Sequence, residues 1–364
     1  MQPPYKQLDC LLVADDLTGA CDAGVHFAAT VLVERGTRAP GASVIALSTE
    51  SRDLAPAGIR RALFAVAAEF PVDAAARVFQ KIDSTLRGNT GLEIAAALEA
   101  FQCDAAVVCP AFPAMHRLVE GGFLRVANAP GFDPIDVAAR LRLQSGLACA
   151  HTGPDGIAAL LAAGVRVVSV DAVSDAGLDR MAAALVPMGR RILWAGSAGL
   201  ASAMARLVRR ECAPPPAPGC RGAVLFCLGS DHPVTLGQQA ALLEERSSVQ
   251  AGARESIAGA LGRGCHVVLR IPRGLVSVEQ VRRCIAGAPV AALVLSGGDT
   301  ASLVCRAAGV QRIELCRETV PGVPRGIIRG GEFEGVSVVT KSGGFGDRDT
   351  LVQVADVFLC PKSP

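Results

Sequence analysis

Between Lys81 and Glu93 the chain reads KIDSTLRGNTGLE, which gathers Lys81, Asp83, Ser84, Thr85, Arg87 and Asn89 within nine residues. Two cations, a carboxylate and two hydroxyls at that density suit a small hydroxylated anion, because charge-assisted hydrogen bonds are about twice as strong as neutral ones. A second cluster lies in ADDLTGACDAG from Ala14, where Asp15 and Asp16 are adjacent and Asp22 follows. Neighbouring carboxylates are costly unless a cation, a hydroxyl or a proton uses them. Arg52 and Asp53, in STESRDL, are expected to line the same edge as Asp15. Arg117 emerges from the proline-punctuated PAFPAMHR and adds a cation to Lys81 and Arg87; His116 beside it receives no role. The plainer alternative for each acid is a helix cap on a solvated loop.

Three more stretches carry glycines directly after apolar runs: GSDHPVT from Gly229, SGGDTA from Ser296 and KSGGFGD from Lys341. Glycine lets backbone N–H groups approach a polyphosphate, and a following helix N-terminus favours negative charge. Three such loops in one region point to nucleotide phosphates. None is a Walker A or G-x-G-x-x-G fingerprint, and neither H-E-x-x-H nor C-x-x-C occurs. No protein-held metal is expected. Mg²⁺ would arrive with ATP, since it needs only one or two carboxylates beside phosphates; Asp299 is the candidate helper and Asp347 a weaker one. The turn Gly196–Ser197–Gly199 reads equally as close packing or as a phosphate-facing wall.

These residues need elements to hold them. Strands are expected at Asp9–Val13, Ser43–Leu47, Ala74–Phe79, Ala105–Cys109, Val165–Val170 and Arg191–Ala195, alternating with amphipathic helices. That alternation gives an α/β protein whose polar loops sit at sheet carboxyl edges, where such folds bind ligands. The 364 residues exceed one typical core and predict two domains, each a mostly parallel sheet flanked by helices, with the active site in the cleft between them. The proline cluster near 213–220 divides an amino-terminal domain at 1–212, which carries the charged clusters, from a carboxyl-terminal domain at 221–364, which carries the glycine loops and is expected to bind nucleotide. There, strands are expected at Gly222–Leu228, His266–Ile271, Val290–Leu295 and Val336–Thr340. With 51% hydrophobic residues and 39 glycines, the chain is globular. A net charge of +2 and 4% aromatics argue against nucleic acid as a partner. The opening MQPPYKQLDC has no apolar targeting core, and no apolar run reaches spanning length, so the expectation is no membrane partner and a cytoplasmic location. A homodimer is the expected assembly. The thirteen cysteines, including Cys10, Cys109, Cys227 and Cys360 near strand-like runs, read as reduced, buried filler.

In order and spacing these motifs resemble the four-carbon acid sugar kinase family, once known as a domain of unknown function. ADDLTGA, KIDSTLRGNTGLE and PAFP resemble its substrate domain; LGSDHPVT, SGGDTA, PGVP and KSGGFGD resemble its nucleotide domain. Met115, His116 and Arg117 stand where the family commonly ends in Asn-Gly-Arg, and GGDTA replaces the usual GGETS type. The resemblance implies ATP-dependent phosphorylation of the 4-hydroxyl of threonate, erythronate or 3-oxo-tetronate. It implies ATP contacts at Ser230, at Gly297, Gly298, Asp299 and Thr300, and at Gly343. In the expected mechanism Arg87, Lys81 and Arg117 clamp the acid's carboxylate with Ser84 beside them. Asp16 and Asp83 read its hydroxyls, Asp16 or Asp15 is the general base, and the domains close about the linker. A binding protein that kept this fold and lost turnover is the alternative; a dehydrogenase or aldolase is disfavoured by the missing dinucleotide fingerprint.

Overall fold

Runs such as Cys10–Ala14 (CLLVA) and Ala105–Cys109 (AAVVC) have no polar face, so they are stable only where both sides of a sheet are covered. A computed structural model puts them there. It describes residues 8–127, 129, 131–208, 222–246, 248–250 and 254–359. Two compact units result, Met1–Ala29 with Arg38–Cys212 and Thr30–Thr37 with Ala213–Pro364.

The first unit has a parallel sheet in the order Val44–Ser48, Cys10–Ala14, Val78–Lys81, Ile192–Gly196, Ala105–Cys109, Val167–Val170, Cys149–Thr152. Its helices pack in two series. Pro56–Glu69 lies on Thr90–Ala100 and that on Val137–Ser145, while Leu17–Gly24 lies on Ala198–Val208 and that on Asp175–Leu185. From Cys10–Ala14 the chain first builds outward to Val44–Ser48, then turns to the other side with Val78–Lys81. The gap between those neighbours is therefore a topological switch point, where the crossing loops diverge and leave a crevice. Registration aligns Ser48, Ala14, Lys81, Gly196 and Cys109 along one carboxyl edge.

The second unit runs Ser248–Gln250, His266–Arg270, Val224–Leu228, Ala292–Ser296, Ser337–Lys341 in parallel, then Val323–Arg329, Arg312–Val320 and Thr30–Leu32 antiparallel. Phe226, Val294, Val339, Leu351 and Phe358 belong to its buried core. Here the switch point falls between Val224–Leu228 and Ala292–Ser296, and Leu228, Ser296 and Lys341 are in register.

Several expectations are revised. Val72–Ala74 is a short 3-10 turn and the strand is Val78–Lys81, so Lys81 closes the strand instead of starting the loop. Residues Thr30–Thr37 leave the first domain's span, because Thr30–Leu32 completes the edge of the second unit's antiparallel hairpin. The linker at 213–220 and Cys360 lie outside the described residues. The ten described cysteines are free, and burial pushes the Cys10, Cys109 and Cys227 thiols up to about 12. The Gly196 turn is close packing: an added Cβ would sit 2.8 Å from the Cys109 carbonyl oxygen, and one on Gly199 2.7 Å from that of Ala111. Among the described residues no helix is long and apolar enough to cross a membrane.

Candidate active site

The first unit's carboxyl edge is a network of acidic and basic side chains tied to one another. Asp16 is the N-cap of Leu17–Gly24: its Oδ1 accepts from the Gly19 N–H at 2.5 Å and from the Thr18 hydroxyl at 3.0 Å. Capping satisfies donors that the first helical turn leaves unpaired, so the plainer reading holds for Asp16, but only for one of its oxygens. The other, Oδ2, meets Arg52 Nη1 at 2.5 Å. Arg52 also clasps Asp15, Nε to Oδ2 at 2.7 Å and Nη2 to Oδ1 at 3.0 Å, and lies 4.0 Å from Asp83 Oδ2. Main-chain bonds from Thr49 N–H to the Ala14 carbonyl and from Ser51 N–H to that of Asp15 hold the Arg52 loop in place.

Asp83 organises its own loop. Its Oδ1 accepts from the Thr85 N–H and hydroxyl and from the Arg87 N–H, while Oδ2 accepts from Arg87 Nη2 at 2.5 Å. Ser84 is buried beside it. Lys81 is buried; its Nζ donates to the Ile82 carbonyl at 3.1 Å and lies 3.9 Å from Asp22. A Cβ on Gly19 would fall 3.0 Å from Asp16 Oδ1 and 3.5 Å from Lys81 Nζ, so this acid and this amine converge over one glycine. Arg117 is half-buried after the left-handed His116, and its Nη1 donates to the Met115 carbonyl. Asp53 is exposed.

Burial sets the titration of this edge. Desolvation pushes the Asp15 carboxyl up, opposed by Arg52 and reinforced by Asp16. At Asp83 burial also works against ionisation, but the Arg87 hydrogen bonds and charge outweigh it and hold the group well below the usual carboxylate range. Glu93, on Thr90–Ala100, accepts from the Ser51 hydroxyl at 2.7 Å; burial, followed by the charge on Asp15, pushes it up to about 8. That shift favours the protonated form of the Glu93 carboxyl beside the Ser51 hydroxyl.

The second unit's edge is built from main chain. Gly229, Gly297 and Ser342 follow the three aligned strand ends. Gly297 has φ 102°, a region that favours glycine, and a Cβ there would lie 3.7 Å from the Ser230 nitrogen. A Cβ on Gly229 would collide with Thr300 Oγ1, and one on Gly343 with Ser230 Oγ, so the three loops close on each other. Thr300 is buried in the first turn of Gly298–Ala308. Asp299, in that same turn, is exposed and pairs with Arg273 at 2.6 Å. The Asp347 carboxylate is engaged by the Thr350 hydroxyl and the Asp349 N–H. Among the described residues no cluster of three metal-ligating side chains occurs.

The structure therefore brings Asp15, Asp16, Lys81, Asp83, Ser84 and Arg87 to one edge, and Ser230, Gly297, Gly298, Thr300 and Gly343 to another. Sequence reasoning left Arg52 without a defined role and gave Glu93 none. A signal was present for each: Arg52 ends a strand–loop stretch like that of Asp15, and Glu93 shares its helix's apolar face with Ile94 and Ala97.

The sugar-binding N-terminal domain model matches residues 10–140 and 136–204, and the nucleotide-binding C-terminal domain model residues 237–351. The chain is 33% identical to a D-threonate kinase of Bordetella bronchiseptica, over 94% of this chain and 96% of that protein. It is 27% identical to a D-erythronate kinase of Heliobacterium modesticaldum, over 96% and 97%. A solved Salmonella typhimurium structure described as a putative tRNA synthase superposes with TM-score 0.75 at 20% identity, over 96% of this chain and 99% of that one. At that identity the likeness speaks for the fold alone.

Proposed function

The chain belongs to the four-carbon acid sugar kinase family, and on that premise we propose that it transfers the γ-phosphoryl group of ATP to the 4-hydroxyl of D-threonate. The observation that carries the reading is a pairing of edges: a charged cluster at the switch point of one sheet and three glycine loops at that of the other. Phosphoryl transfer asks a protein for positioning and charge neutralisation more than for covalent chemistry. Each edge supplies part of that.

Lys81, Arg87 and Arg117 are the cations for the acid's carboxylate, with the Ser84 hydroxyl beside them. Asp83, having both oxygens engaged within its loop, fixes Arg87 rather than reading a hydroxyl itself. Asp16 is preferred over Asp15 as general base. Asp15 has both oxygens on Arg52, whereas Asp16 gives Arg52 only Oδ2, converges with Lys81 over Gly19 and has the more exposed carboxylate, 11% against 2%. Arg52 keeps Asp16 aimed through the contact of Nη1 with Oδ2. On the nucleotide side, the glycines at 297, 298 and 343 let main-chain donors reach phosphate oxygens, and the Ser230 and Thr300 hydroxyls stand among them. Mg²⁺ would be carried by the phosphates, neutralising their charge; Asp299 would have to leave Arg273 to reach it.

The test is ADP release in a coupled assay with Mg-ATP and a panel of D-threonate, L-threonate, D-erythronate and 3-oxo-tetronate. Turnover with D-threonate at the highest kcat/KM is expected. Release with every acid no faster than the acid-free background would rule the activity out, and preference for another tetronate would move the substrate.

A further inference from the structure

Lys341 is among the largest fully buried side chains of the molecule, and nothing in the phosphoryl-transfer scheme uses it. It ends the strand Ser337–Lys341 and folds beneath the loop that follows. Its Nζ donates to the carbonyls of Ser342 at 2.9 Å, Phe345 at 3.2 Å and Gly343 at 3.3 Å, and lies 3.4 Å from Thr235 Oγ1. Thr235 Oγ1 in turn donates to the Gly343 carbonyl at 2.7 Å, and Gln238 Nε2 to that of Phe345 at 3.0 Å. Three peptide groups of one short loop are thereby turned carbonyl-inward.

A trans peptide is planar, with its C=O and N–H on opposite sides. Pulling the carbonyls of Ser342, Gly343 and Phe345 toward Lys341 therefore turns the N–H groups of Gly343, Gly344 and Gly346 away from it. Among the described residues those three N–H groups have no protein acceptor. Successive outward N–H groups form a concave anion site, and the Gly343 side of this one abuts Ser230 while Gly344 abuts His232.

The ammonium also brings charge. The side chains about it are Thr235 and Gln238 from Pro233–Glu245 and Ser296, which is in register with Lys341. The titratable groups of the neighbourhood are His232, across Gly344, and Asp347, whose carboxylate is taken by Thr350 and Asp349. No ion pair to Lys341 is present among the described residues. Burial alone pulls its pKa down to about 7, while the ring of carbonyl dipoles favours the charged form.

Resting on the nucleotide reading above, we propose that Lys341 is the positioning residue of the phosphate site. It holds the loop amides outward and supplies a buried positive charge, with no acidic side chain beside it, that a bound phosphate completes. An arriving polyanion then stabilises the ammonium, so binding takes up a proton wherever the free protein has released it. Affinity for an already ionised nucleotide falls as pH rises through and above the Lys341 pKa.

The experiment is calorimetric titration of the full chain with ADP at constant Mg²⁺, from about pH 7.5 to about pH 9.5, where ADP itself no longer titrates. Two buffers of different ionisation enthalpy count protons. Wild type should take up a fraction of a proton within this range and lose affinity several-fold across it. Lys341→Met should bind ADP at least about tenfold more weakly, with a flat profile and no uptake, while binding adenosine as wild type does. Lys341→Arg, charged throughout, should recover most of the affinity but stay flat. A Lys341→Met protein with wild-type affinity and proton uptake would overturn the proposal. Should that variant not fold, wild type decides alone: ADP binding with no proton exchange and no pH dependence overturns it equally. No binding of ADP by wild type at any pH would instead remove the nucleotide reading itself.

Discussion

At the edge of the first sheet, charge resides on side chains that answer one another: Asp15, Asp16 and Asp83 around Arg52 and Arg87. At the edge of the second, the donors are main-chain amides shaped by glycine, and Lys341 stays below the surface. Both edges lie at a switch point of an α/β sheet, yet they suit different anions. A short hydroxy acid offers one charge and several hydroxyls in fixed stereochemistry, which individual side chains can discriminate. A polyphosphate offers many equivalent oxygens, which repeated N–H groups match once a loop of the right shape presents them. Side-chain recognition should therefore fail through charge, and main-chain recognition through shape.

The harshest test of that contrast is Arg52→Ala. It strands the buried Asp15 and Asp16 carboxylates without their cation, an imbalance worth about 3–5 kcal/mol where one partner of a buried pair is removed. Urea midpoints should drop accordingly, kcat/KM should fall by roughly three orders of magnitude, and ADP affinity of the folded fraction should hold. Loss of ADP affinity with stability intact would erase the division between the edges. Next is Gly343→Ala, whose methyl group would collide with Ser230 Oγ. Nucleotide binding should weaken by about tenfold or more with acid binding unchanged, measured by calorimetry for each ligand.

A smaller effect is expected from Glu93→Gln, which mimics the protonated acid. A carboxyl raised to about 8 in the folded state binds more protons than its unfolded counterpart above the usual Glu range. Its contribution is full below about pH 4 and is lost as pH rises toward 8. Urea unfolding from acid to alkaline pH should show wild type losing stability relative to Glu93→Gln; parallel curves would mean that Glu93 is ionised throughout. The mildest change is Asp299→Ala. Exposed and paired only across the surface with Arg273, Asp299 should shift the KM for Mg-ATP by less than about tenfold.

Much of the fold was readable because its buried parallel strands are short, largely apolar runs closed by turn residues; Val224–Leu228, His266–Arg270 and Ala105–Cys109 fall within a residue or two of their expected places. The hairpin Arg312–Val320 with Val323–Arg329 was missed although Ile313 and Leu315 alternate with Arg312 and Glu314 and a Pro-Gly turn follows. Among site residues, local density revealed the Lys81–Arg87 cluster. Its internal pairing did not show, because a carboxylate three atoms from a backbone N–H looks in sequence like one facing a ligand. Arg52 reaches Asp15 across 37 positions, a distance that only sheet register brings to zero. Lys341 read as the first letter of a glycine loop, and its burial followed from the carbonyls around it.

The excursion of Thr30–Thr37 has a practical corollary for anyone dividing this gene. Expressed from the proline cluster onward, the carboxyl-terminal piece would lack Thr30–Leu32 and bare the outer hydrogen-bonding row of Arg312–Val320. A naked strand margin recruits other chains, so that fragment should come out as aggregates unless a peptide spanning Thr30–Thr37 is returned to it.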